Sequence, residues 1–242
     1  MKEINIIIPT YNEDKNILSL INNVQKNVPN SKICIVDDSR IDKIGPILKK
    51  AKLKKILYFH RKNSKGRGSA VMFGFRKLFK KYKDQIFVEM DADFSHRPSE
   101  LKRNIIFFKN NKCDLLISSR YLKKSKIINW PMSRRIFSKI SNMLAQIVLR
   151  IDVSDYTNGF RIYSNKAIKL ILSKCGQIGD GFIILSEILL VIDINGLKIS
   201  EVNSKFVNRL RGESSVNLKL IYQSFFGLFK LFFIKKSYLI KK

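Results

Sequence analysis

Residues 86–93 read Ile-Phe-Val-Glu-Met-Asp-Ala-Asp, a largely apolar run that stops at two carboxylates. Such a run is typical of a strand that is buried on both faces, as strands are in parallel sheets. Segments 4–8, 33–36 and 55–59 are predicted strands that precede it, and 115–117 is a short one that follows. The chain therefore carries the strands of a buried sheet.

Helical patterns lie between these predicted strands. Apolar residues recur with helical spacing in segment 16–28, and again along one side of segment 71–79 after a glycine turn at 65–68. Pro98 stands near the start of another helix, where its missing N–H costs nothing. The alternation predicts an α/β fold with a mostly parallel sheet flanked by helices, in which ligands bind beyond the carboxyl ends of the strands.

Polar residues follow several predicted strands at those carboxyl ends. They are Thr10-Tyr11-Asn12-Glu13, Asp37-Asp38, Asp91 with Asp93, and Arg120. Asp91 and Asp93 are two residues apart, so they point the same way and can share one hard cation, which would neutralise a diphosphate. Asp37 or Asp38 can accept a hydrogen bond from a base or a ribose. For each motif taken alone, a turn, a cap or an acidic helix start is the alternative.

The chain is strongly basic. Its 242 residues include 47 Lys plus Arg against 19 Asp plus Glu, a net charge of +28. This charge predicts an anionic partner, which can be nucleic acid, an acidic membrane surface or a phosphorylated substrate. Hydrophobic residues make up 45% of the chain, which excludes a disordered basic tail. The three cysteines are widely spaced and form no disulfide framework, which favours a reducing compartment.

Residues 216–242 are predicted to form an amphipathic tail at a membrane interface. Apolar residues in segment 216–234 follow helical spacing, and lysine pairs lie at 235–236 and 241–242. The apolar run falls short of the roughly 20 residues that a membrane span needs, which favours an interfacial helix. A helix packed on the domain or on a partner is the alternative.

Seven segments together resemble the dolichol-phosphate mannose synthase branch of the family-2 glycosyltransferases. In chain order they are Pro9-Thr10-Tyr11-Asn12-Glu13, Asp37-Asp38-Ser39, Asp91-Ala92-Asp93-Phe94-Ser95-His96, Ser119-Arg120-Tyr121, Trp130 with Arg134 and Ser138, Asp155-Tyr156-Thr157-Asn158-Gly159-Phe160-Arg161, and Arg209-Leu210-Arg211-Gly212-Glu213-Ser214. Their order and spacing match those of the family from about residue 4 to residue 215. The combination is much more specific than an isolated pair of aspartates.

The resemblance implies a nucleotide-sugar-binding domain of the GT-A type over residues 1–215. Residues 1–125 would form the nucleotide-sugar half and residues 126–215 the acceptor half. The implied reaction is the inverting transfer of a hexose, most simply mannose from GDP-mannose, to a dolichyl or undecaprenyl phosphate. The same fold using UDP-glucose or another nucleotide sugar is the second reading. An acceptor phosphate is ionised near neutral pH because its second pKa is about 6, so the reaction needs no general base.

The resemblance also implies roles for single residues. The donor-binding positions are Pro9, Tyr11, Glu13, Asp37, Asp38, Asp91, Ala92 and Arg209. The acceptor-phosphate positions are Arg120, Arg134 and Ser138, and the catalytic positions are Asp93, Arg120 and Arg134. Mg²⁺ or Mn²⁺ would bind to Asp91 and Asp93, with Ser95 as a further ligand position. Arg67 stands where the family commonly has leucine.

The location that the resemblance implies is the cytoplasmic face of a membrane, with peripheral attachment. Basic residues outside the site would contribute about 1 kcal/mol each on anionic lipid, and a separate membrane protein would be a further anchor. A basic nucleic-acid-binding protein is the alternative of another class. Against it, the sequence has no recognisable helix-turn-helix, zinc-finger or RNA-binding signature. Glu187 lies in an apolar predicted helix, so it needs a partner at the site or in the core, and the site is slightly favoured.

Overall fold

The structure, a computed structural model, describes residues 2–62, 66–81, 83–179, 181, 183–208 and 218–238, with the backbone alone at 218–224, 236 and 237. The strands are β1 (Glu3–Thr10), β2 (Lys32–Asp37), β3 (Ile56–His60), β4 (Gln85–Glu89), β5 (Leu115–Ser119), β6 (Lys126–Ile128), β7 (Arg161–Ser164), β8 (Ile199–Asn203) and β9 (Lys205–Val207). The helices are α1 (Ile17–Asn27), α2 (Ile44–Ala51), α3 (Arg67–Leu78), α4 (Leu101–Asn110), α5 (Met132–Leu149), α6 (Asn165–Lys174), α7 (Ile183–Ile194) and α8 (Leu218–Ile234). Short 3₁₀ turns cover Pro98–Glu100 and Lys235–Tyr238.

The main sheet has the strand order β3-β2-β1-β4-β7-β5-β8. The strands β3, β2, β1 and β4 run parallel to one another, as the sequence predicts. Strand β7 is antiparallel to both β4 and β5, whereas β5 and β8 are parallel. Strands β6 and β9 form a separate parallel pair. The predicted α/β fold with a mostly parallel sheet is therefore confirmed.

Helices cover both faces of the main sheet and enclose two apolar cores. One core includes Phe75 of α3, Tyr163 of β7 and Ile188 of α7. The other includes Leu20 of α1 and Leu101 of α4. Because both faces are covered, the central strands contain only buried residues over most of their length, which explains their continuous apolar runs.

Several elements have sequence patterns too weak to predict. Helix α2 buries only Ile44, and strand β8 at the edge of the sheet buries only Val202. Neither element therefore requires a full apolar stripe or run. Strands β6 and β9 are three residues each, and within the described residues they pair only with one another.

Helix α8 packs on the rest of the fold and also exposes several phenylalanines. It contacts α5 and α7, and it buries Leu228 and Leu231. Phe225, Phe229 and Phe233 remain exposed. Within the described ranges, no helix combines the length and the apolar character needed to cross a bilayer.

Glu187 lies in the core, where it joins α7 to the C-terminal 3₁₀ turn. Its carboxylate accepts hydrogen bonds from the N–H of Gly176 at 2.9 Å, the N–H of Gln177 at 3.2 Å and the hydroxyl of Tyr238 at 2.7 Å. The slightly favoured expectation that its partner lies at the site is therefore wrong. These three donors satisfy the buried carboxylate without any site residue.

Candidate active site

Two loops that follow adjacent strands are bound to one another at the carboxyl end of the sheet. The hydroxyl of Thr10 donates to Asp37 Oδ1 at 3.0 Å, and the N–H of Asp38 donates to the Thr10 carbonyl at 3.0 Å. The N–H of Asn12 donates to Ser39 Oγ at 2.8 Å, and Asn12 is held at a φ of +57°. The two motifs that the sequence assigns to the donor therefore form one continuous surface.

Asp37 and Asp38 occupy different environments. Asp37 is fully buried, and its Oδ1 also accepts from the hydroxyl of Ser39 at 2.6 Å. Asp38 is held in a planar fork by Arg61, with Nε and Nη2 each 2.6 Å from a carboxylate oxygen. Arg61 also donates to Ser69 Oγ at 2.9 Å, which ties this loop to α3. Asp37 thus shapes the loop, whereas Asp38 forms an ion pair at its edge.

The remaining donor positions of the first motif lie at the end of β1. Pro9 pairs with Val36 in the sheet, and the ring of Tyr11 is about half exposed. The Glu13 carboxylate accepts from Asn16 Nδ2 at 2.6 Å, at the start of α1. A half-exposed aromatic ring beside the Asp37–Asp38 loop is available for stacking with a nucleobase.

The Asp91–Asp93 turn follows β4 at the same end of the sheet. The Asp91 side chain is 29% exposed, whereas Asp93 and Ala92 are buried. The N–H of Ser95 donates to Asp93 Oδ1 at 3.0 Å, and Phe94 has a left-handed φ of +62°. A non-glycine residue with this φ costs free energy, and such residues cluster at functional sites.

Oxygen atoms at this turn fit a hard divalent cation. Among the described side chains, Ser95 Oγ is buried and makes no hydrogen bond, which matches the metal-ligand position predicted for it. Among all the residues that the structure describes, no three His, Cys, Asp or Glu side chains are grouped so that they could hold a metal ion. Asp91, Asp93 and Ser95 would therefore supply part of a coordination shell whose other oxygens come from substrate and water.

His96 fastens this turn to segment 155–161. Its Nδ1 accepts from the N–H of Asp91 at 2.9 Å, and its Nε2 lies 2.8 Å from Asn158 Oδ1. Since Nδ1 is an acceptor, the ring proton is placed on Nε2, which donates to Asn158. The ring also stacks on Phe160 at 5.2 Å. His96 therefore has a structural task at the site.

Arg67 joins the site through two carboxylates of the β4 end, a contact that the sequence does not predict. Its Nη1 lies 2.5 Å from Glu89 Oε1, and its Nη2 lies 2.6 Å from Asp91 Oδ1. Burial lowers the pKa of Arg67, but Asp91 and Glu89 together raise it above its ordinary value. Burial and the neighbouring Glu89 carboxylate raise the pKa of Tyr163 well above the ordinary range.

Arg120, which follows β5, is buried and bound by residues of segment 155–161. Its Nε and Nη2 donate to Asp155 at 2.8 and 2.7 Å, and Nη2 also donates to Thr157 Oγ1 at 2.6 Å. Burial alone raises the pKa of Asp155, but Arg120 outweighs this effect, so the pKa lies below its ordinary value. Burial alone lowers the pKa of Arg120, and Asp155 raises it above its ordinary value.

Arg134 and Arg120 both contact the ring of Trp130. Arg134 Cζ is 4.3 Å from the centre of that ring, and Arg120 Cζ is 5.5 Å from the same centre. Arg134 Nη1 donates to Asn208 Oδ1 at 3.0 Å. On the next turn of α5, Ser138 Oγ accepts from the hydroxyl of Tyr121 at 2.6 Å. The structure thus places Arg120, Arg134 and Ser138, the three predicted acceptor-phosphate positions, beside the rings of Tyr121 and Trp130.

Several site residues have no distinguishing local pattern. Asp155 lies within a recognised segment, yet its pairing with Arg120 spans 35 residues and cannot be deduced from spacing. Arg61 and Glu89 belong to no recognised motif. Glu89 does interrupt the apolar run of β4, and a charged residue in a buried strand indicates that it has a buried partner. Arg209, the remaining predicted donor position, lies outside the described residues.

A sheet with these carboxylate loops at one end, together with Arg120 after β5 and Arg134 on α5, defines a glycosyltransferase with the GT-A fold. The chain belongs to glycosyl transferase family 2, whose family model matches residues 5–172. The predicted family membership is therefore confirmed, and the protein is an enzyme.

Curated relatives and solved structures agree with this assignment. The chain is 33% identical to the undecaprenyl-phosphate mannosyltransferase of Micrococcus luteus, over 87% of this chain and 86% of that protein. It is 33% identical to the dolichol-phosphate mannosyltransferase of Pyrococcus furiosus, over 95% of this chain and 63% of that protein. The fold resembles glucosyl-3-phosphoglycerate synthase from Mycobacterium tuberculosis in complex with Mn²⁺, UDP and glucosyl-3-phosphoglycerate. That match has a TM-score of 0.64 and 16% identity over all of this chain and 82% of the other, so it concerns the fold alone.

Proposed function

We propose that the protein transfers mannose from GDP-mannose to the phosphate of a dolichyl or undecaprenyl phosphate, with inversion at the anomeric carbon. The observation that carries this proposal is the pair of arginines, Arg120 and Arg134, that share the ring of Trp130. Two guanidinium groups in one frame are suited to a phosphate, because each presents several N–H donors in a plane. The names of the Micrococcus luteus and Pyrococcus furiosus relatives support the same acceptor class and sugar.

In the proposed reaction, Arg120 and Arg134 orient the acceptor phosphate. Asp155 and Thr157 accept hydrogen bonds from the guanidinium of Arg120, so the orientation of that group is set before the substrate binds. Ser138, one turn along α5 from Arg134, adds a hydroxyl on the same face of the helix. A phosphate oxygen, already ionised at neutral pH, attacks the anomeric carbon opposite the departing diphosphate.

The donor would bind along the two linked loops and the Asp91–Asp93 turn. Tyr11 would stack with the base, and Asp38 with its Arg61 partner would contact the nucleoside. Asp91, Asp93 and Ser95 would hold Mg²⁺ or Mn²⁺, which when bound would offset the charge that develops on the nucleoside diphosphate. The Mn²⁺ named for the Mycobacterium tuberculosis structure is consistent with this assignment.

The proposal divides the chain as the sequence suggests. Residues 1–125 would bind the nucleotide sugar, residues 126–215 the acceptor, and residues 216–242 a membrane surface. The acceptor is a lipid, so the phosphate-binding residues must face a bilayer.

Exposed apolar side chains on α5 and α8 support peripheral attachment to the cytoplasmic face of a membrane. The exposed residues are Met132, Ile136, Phe137, Ile140, Met143 and Ile147 on α5, and Phe225, Phe226, Phe229, Phe232 and Phe233 on α8. The two helices are in contact, and α5 also carries Arg134 and Ser138. A surface of this kind on a chain of net charge +28 suits an anionic bilayer.

The activity is tested with purified protein, membranes, Mn²⁺ and a panel of radiolabelled nucleotide sugars that includes GDP-mannose and UDP-glucose. We expect a chloroform-soluble, mild-acid-labile product from GDP-mannose alone. Asp93→Ala and Arg134→Ala should abolish it. Arg135→Ala, which alters the neighbouring arginine that donates to the Ile127 carbonyl, and Asp84→Ala on the exposed surface are matched controls that should stay active. A product from UDP-glucose would overturn the proposal that GDP-mannose is the donor. If none of the nucleotide sugars gives a lipid product, the proposed acceptor class is wrong.

Membrane attachment is tested by flotation with anionic liposomes. Changing Ile140 and Ile147 to glutamate should release the protein from the vesicles, because two charges would face the acyl chains. Ile106→Glu places one charge at a comparably exposed position on α4 and serves as the control. Unchanged flotation of the double variant would exclude α5 from the interface.

A further inference from the structure

A buried cluster of charges adjoins Asp91 and has no role in the reaction proposed above. Arg67, the first residue of α3, places Nε 2.8 Å and Nη2 2.6 Å from Asp91 Oδ1, and Nη1 2.5 Å from Glu89 Oε1. Glu89 is fully buried, and its second oxygen accepts from the Tyr163 hydroxyl at 2.7 Å. One planar guanidinium thus bridges two carboxylates that project from the same face of β4 and its extension.

Gly159 makes room for this guanidinium. A Cβ at position 159 would lie 2.7 Å from Arg67 Cζ, closer than real Cβ atoms approach any neighbour. The backbone of Gly159 is not in the left-handed region, so what favours glycine here is the space that the Arg67 guanidinium occupies and not a special backbone conformation. Segment 155–161, which also frames Arg120, is therefore shaped to receive Arg67.

Asp91 is held from several directions. Arg67 binds Asp91 Oδ1, while Asp91 Oδ2 lies 3.8 Å from Nε2 of His96. The backbone N–H of Asp91 donates to Nδ1 of the same histidine. The Asp91 side chain nevertheless remains 29% exposed. An ordered carboxylate with one open side is arranged for a ligand that arrives from the solvent.

The charges at the end of β4 also balance in a particular way. Glu89, Asp91 and Asp93 contribute three negative charges, and Arg67 offsets one of them. Two negative charges remain, which is the charge that one divalent cation neutralises. Without Arg67, the buried Glu89 would lack a counter-charge, a costly arrangement in a protein interior.

We propose that Arg67 is a positioning residue for divalent-cation binding: its guanidinium holds Asp91 in the orientation that receives the cation and neutralises Glu89 behind it. The inference rests on the proposed function, because that function places Asp91 in the donor site. It assigns to Arg67 a task on the metal side of the site, distinct from the phosphate-binding task of Arg120 and Arg134.

The test compares Mn²⁺ binding, measured by electron paramagnetic resonance of the free ion in the presence of GDP, with thermal unfolding. The decisive variant is Arg67→Met with Glu89→Gln. It removes one charge of each sign, keeps an acceptor for Tyr163 and leaves the net charge of the site unchanged. We expect Mn²⁺ affinity to fall roughly 10- to 100-fold, the usual effect of losing an outer partner of a metal ligand, with little change in unfolding temperature.

Gly159→Ala perturbs the same guanidinium from outside without changing any charge. It should weaken Mn²⁺ binding in the same direction, whereas Gly179→Ala, at a glycine whose added Cβ would lie 3.2 Å from Ile183 Cγ2, should leave it unchanged. Arg67→Lys should not restore full affinity, because a single ammonium cannot bridge both carboxylates as a planar fork does.

Wild-type Mn²⁺ affinity in the double variant would overturn the inference and leave Arg67 as a counter-charge for Glu89 only. Failure of the unaltered protein to bind Mn²⁺ would overturn it together with the metal part of the proposed function. Normal Mn²⁺ binding by the unaltered protein without any lipid product would instead refute the proposed substrates and leave the comparison of variants valid.

Discussion

The carboxylate of Asp155 holds the guanidinium of Arg120 through two parallel hydrogen bonds, of 2.7 and 2.8 Å, and accepts the Arg120 backbone N–H at 2.9 Å. Both side chains are buried. A buried arginine with this many contacts has a single orientation, which is the property that a phosphate-binding group needs.

Replacing Asp155 with asparagine should reduce both stability and activity. The change leaves Arg120 buried without its counter-charge, which costs about 3–5 kcal/mol in comparable cases. Urea unfolding measures the loss. The double variant Arg120→Gln with Asp155→Asn should recover part of the stability but none of the activity. A double variant that regains activity would exclude Arg120 from phosphate binding.

The same pair predicts how stability depends on pH. Arg120 lowers the folded-state pKa of Asp155, so the unfolded chain binds the proton more readily, and stability rises with pH across this interval. The contribution is complete above the unfolded-state pKa of about 3.9 and is lost as the pH falls through the folded-state pKa. The difference in unfolding temperature between wild type and Asp155→Asn should be constant at neutral pH and shrink in acid. An equal difference at all pH values would show that the ion pair is not its source.

Trp130 should control the affinity for the acceptor more than the rate. Its ring contacts both Arg134 and Arg120, and each cation–π contact contributes about 0.5–2 kcal/mol. Trp130→Leu should therefore raise KM for the lipid phosphate roughly tenfold, a change equivalent to about 1.4 kcal/mol, with KM for GDP-mannose unchanged. Trp130→Phe keeps an aromatic face, so its KM for the lipid phosphate should lie between the values of the wild type and of Trp130→Leu. Equal effects of both variants on both substrates would point to a general packing defect.

Tyr238 should anchor the C-terminal segment through Glu187. A hydrogen bond to a buried carboxylate contributes about 1.5–3 kcal/mol, so Tyr238→Phe should lower the free energy of unfolding by that amount. It should also make the turn at Lys235–Tyr238 more sensitive to protease, because this turn loses one of its attachments to α7. Tyr11→Phe, at a half-exposed ring, is a stability control. A Tyr238→Phe variant as stable as this control would contradict the anchoring role.

The three thiols should be unreactive in the folded protein. Cys34, Cys113 and Cys175 are free and buried, and burial raises the pKa of Cys34 to about 12. Because the thiolate is the reactive form, a disulfide reagent such as DTNB should modify none of them until the protein is unfolded in guanidinium. All three should then react. Rapid modification of the native protein would show that one of these positions opens to solvent.

The sequence predicts most of the central sheet correctly, for a physical reason that applies strand by strand. Strands β1, β2 and β4 are covered on both faces, so their sequences are nearly continuous apolar runs. Edge strand β8 and the pair β6 and β9 bury little and leave no such run. The sequence also cannot reveal that β7 is inserted antiparallel between β4 and β5, because strand order depends on contacts between distant segments.

The candidate site divides in a similar way. Asp91 with Asp93, and Arg134 with Ser138, are recognisable because two- and four-residue spacings put side chains on one side of a strand or helix. The partners of these residues are not: Asp155 for Arg120, Arg61 for Asp38, and Arg67 for Glu89 and Asp91 lie 22 to 35 residues from the groups they neutralise. Local periodicity and motif order thus establish the fold class, the family and the reacting positions from residue order alone. Which charges cancel, which carboxylates remain open to a ligand and why a side chain at position 159 would meet Arg67 depend on the packing of distant segments, since ion pairs and steric contacts are set by distance in space.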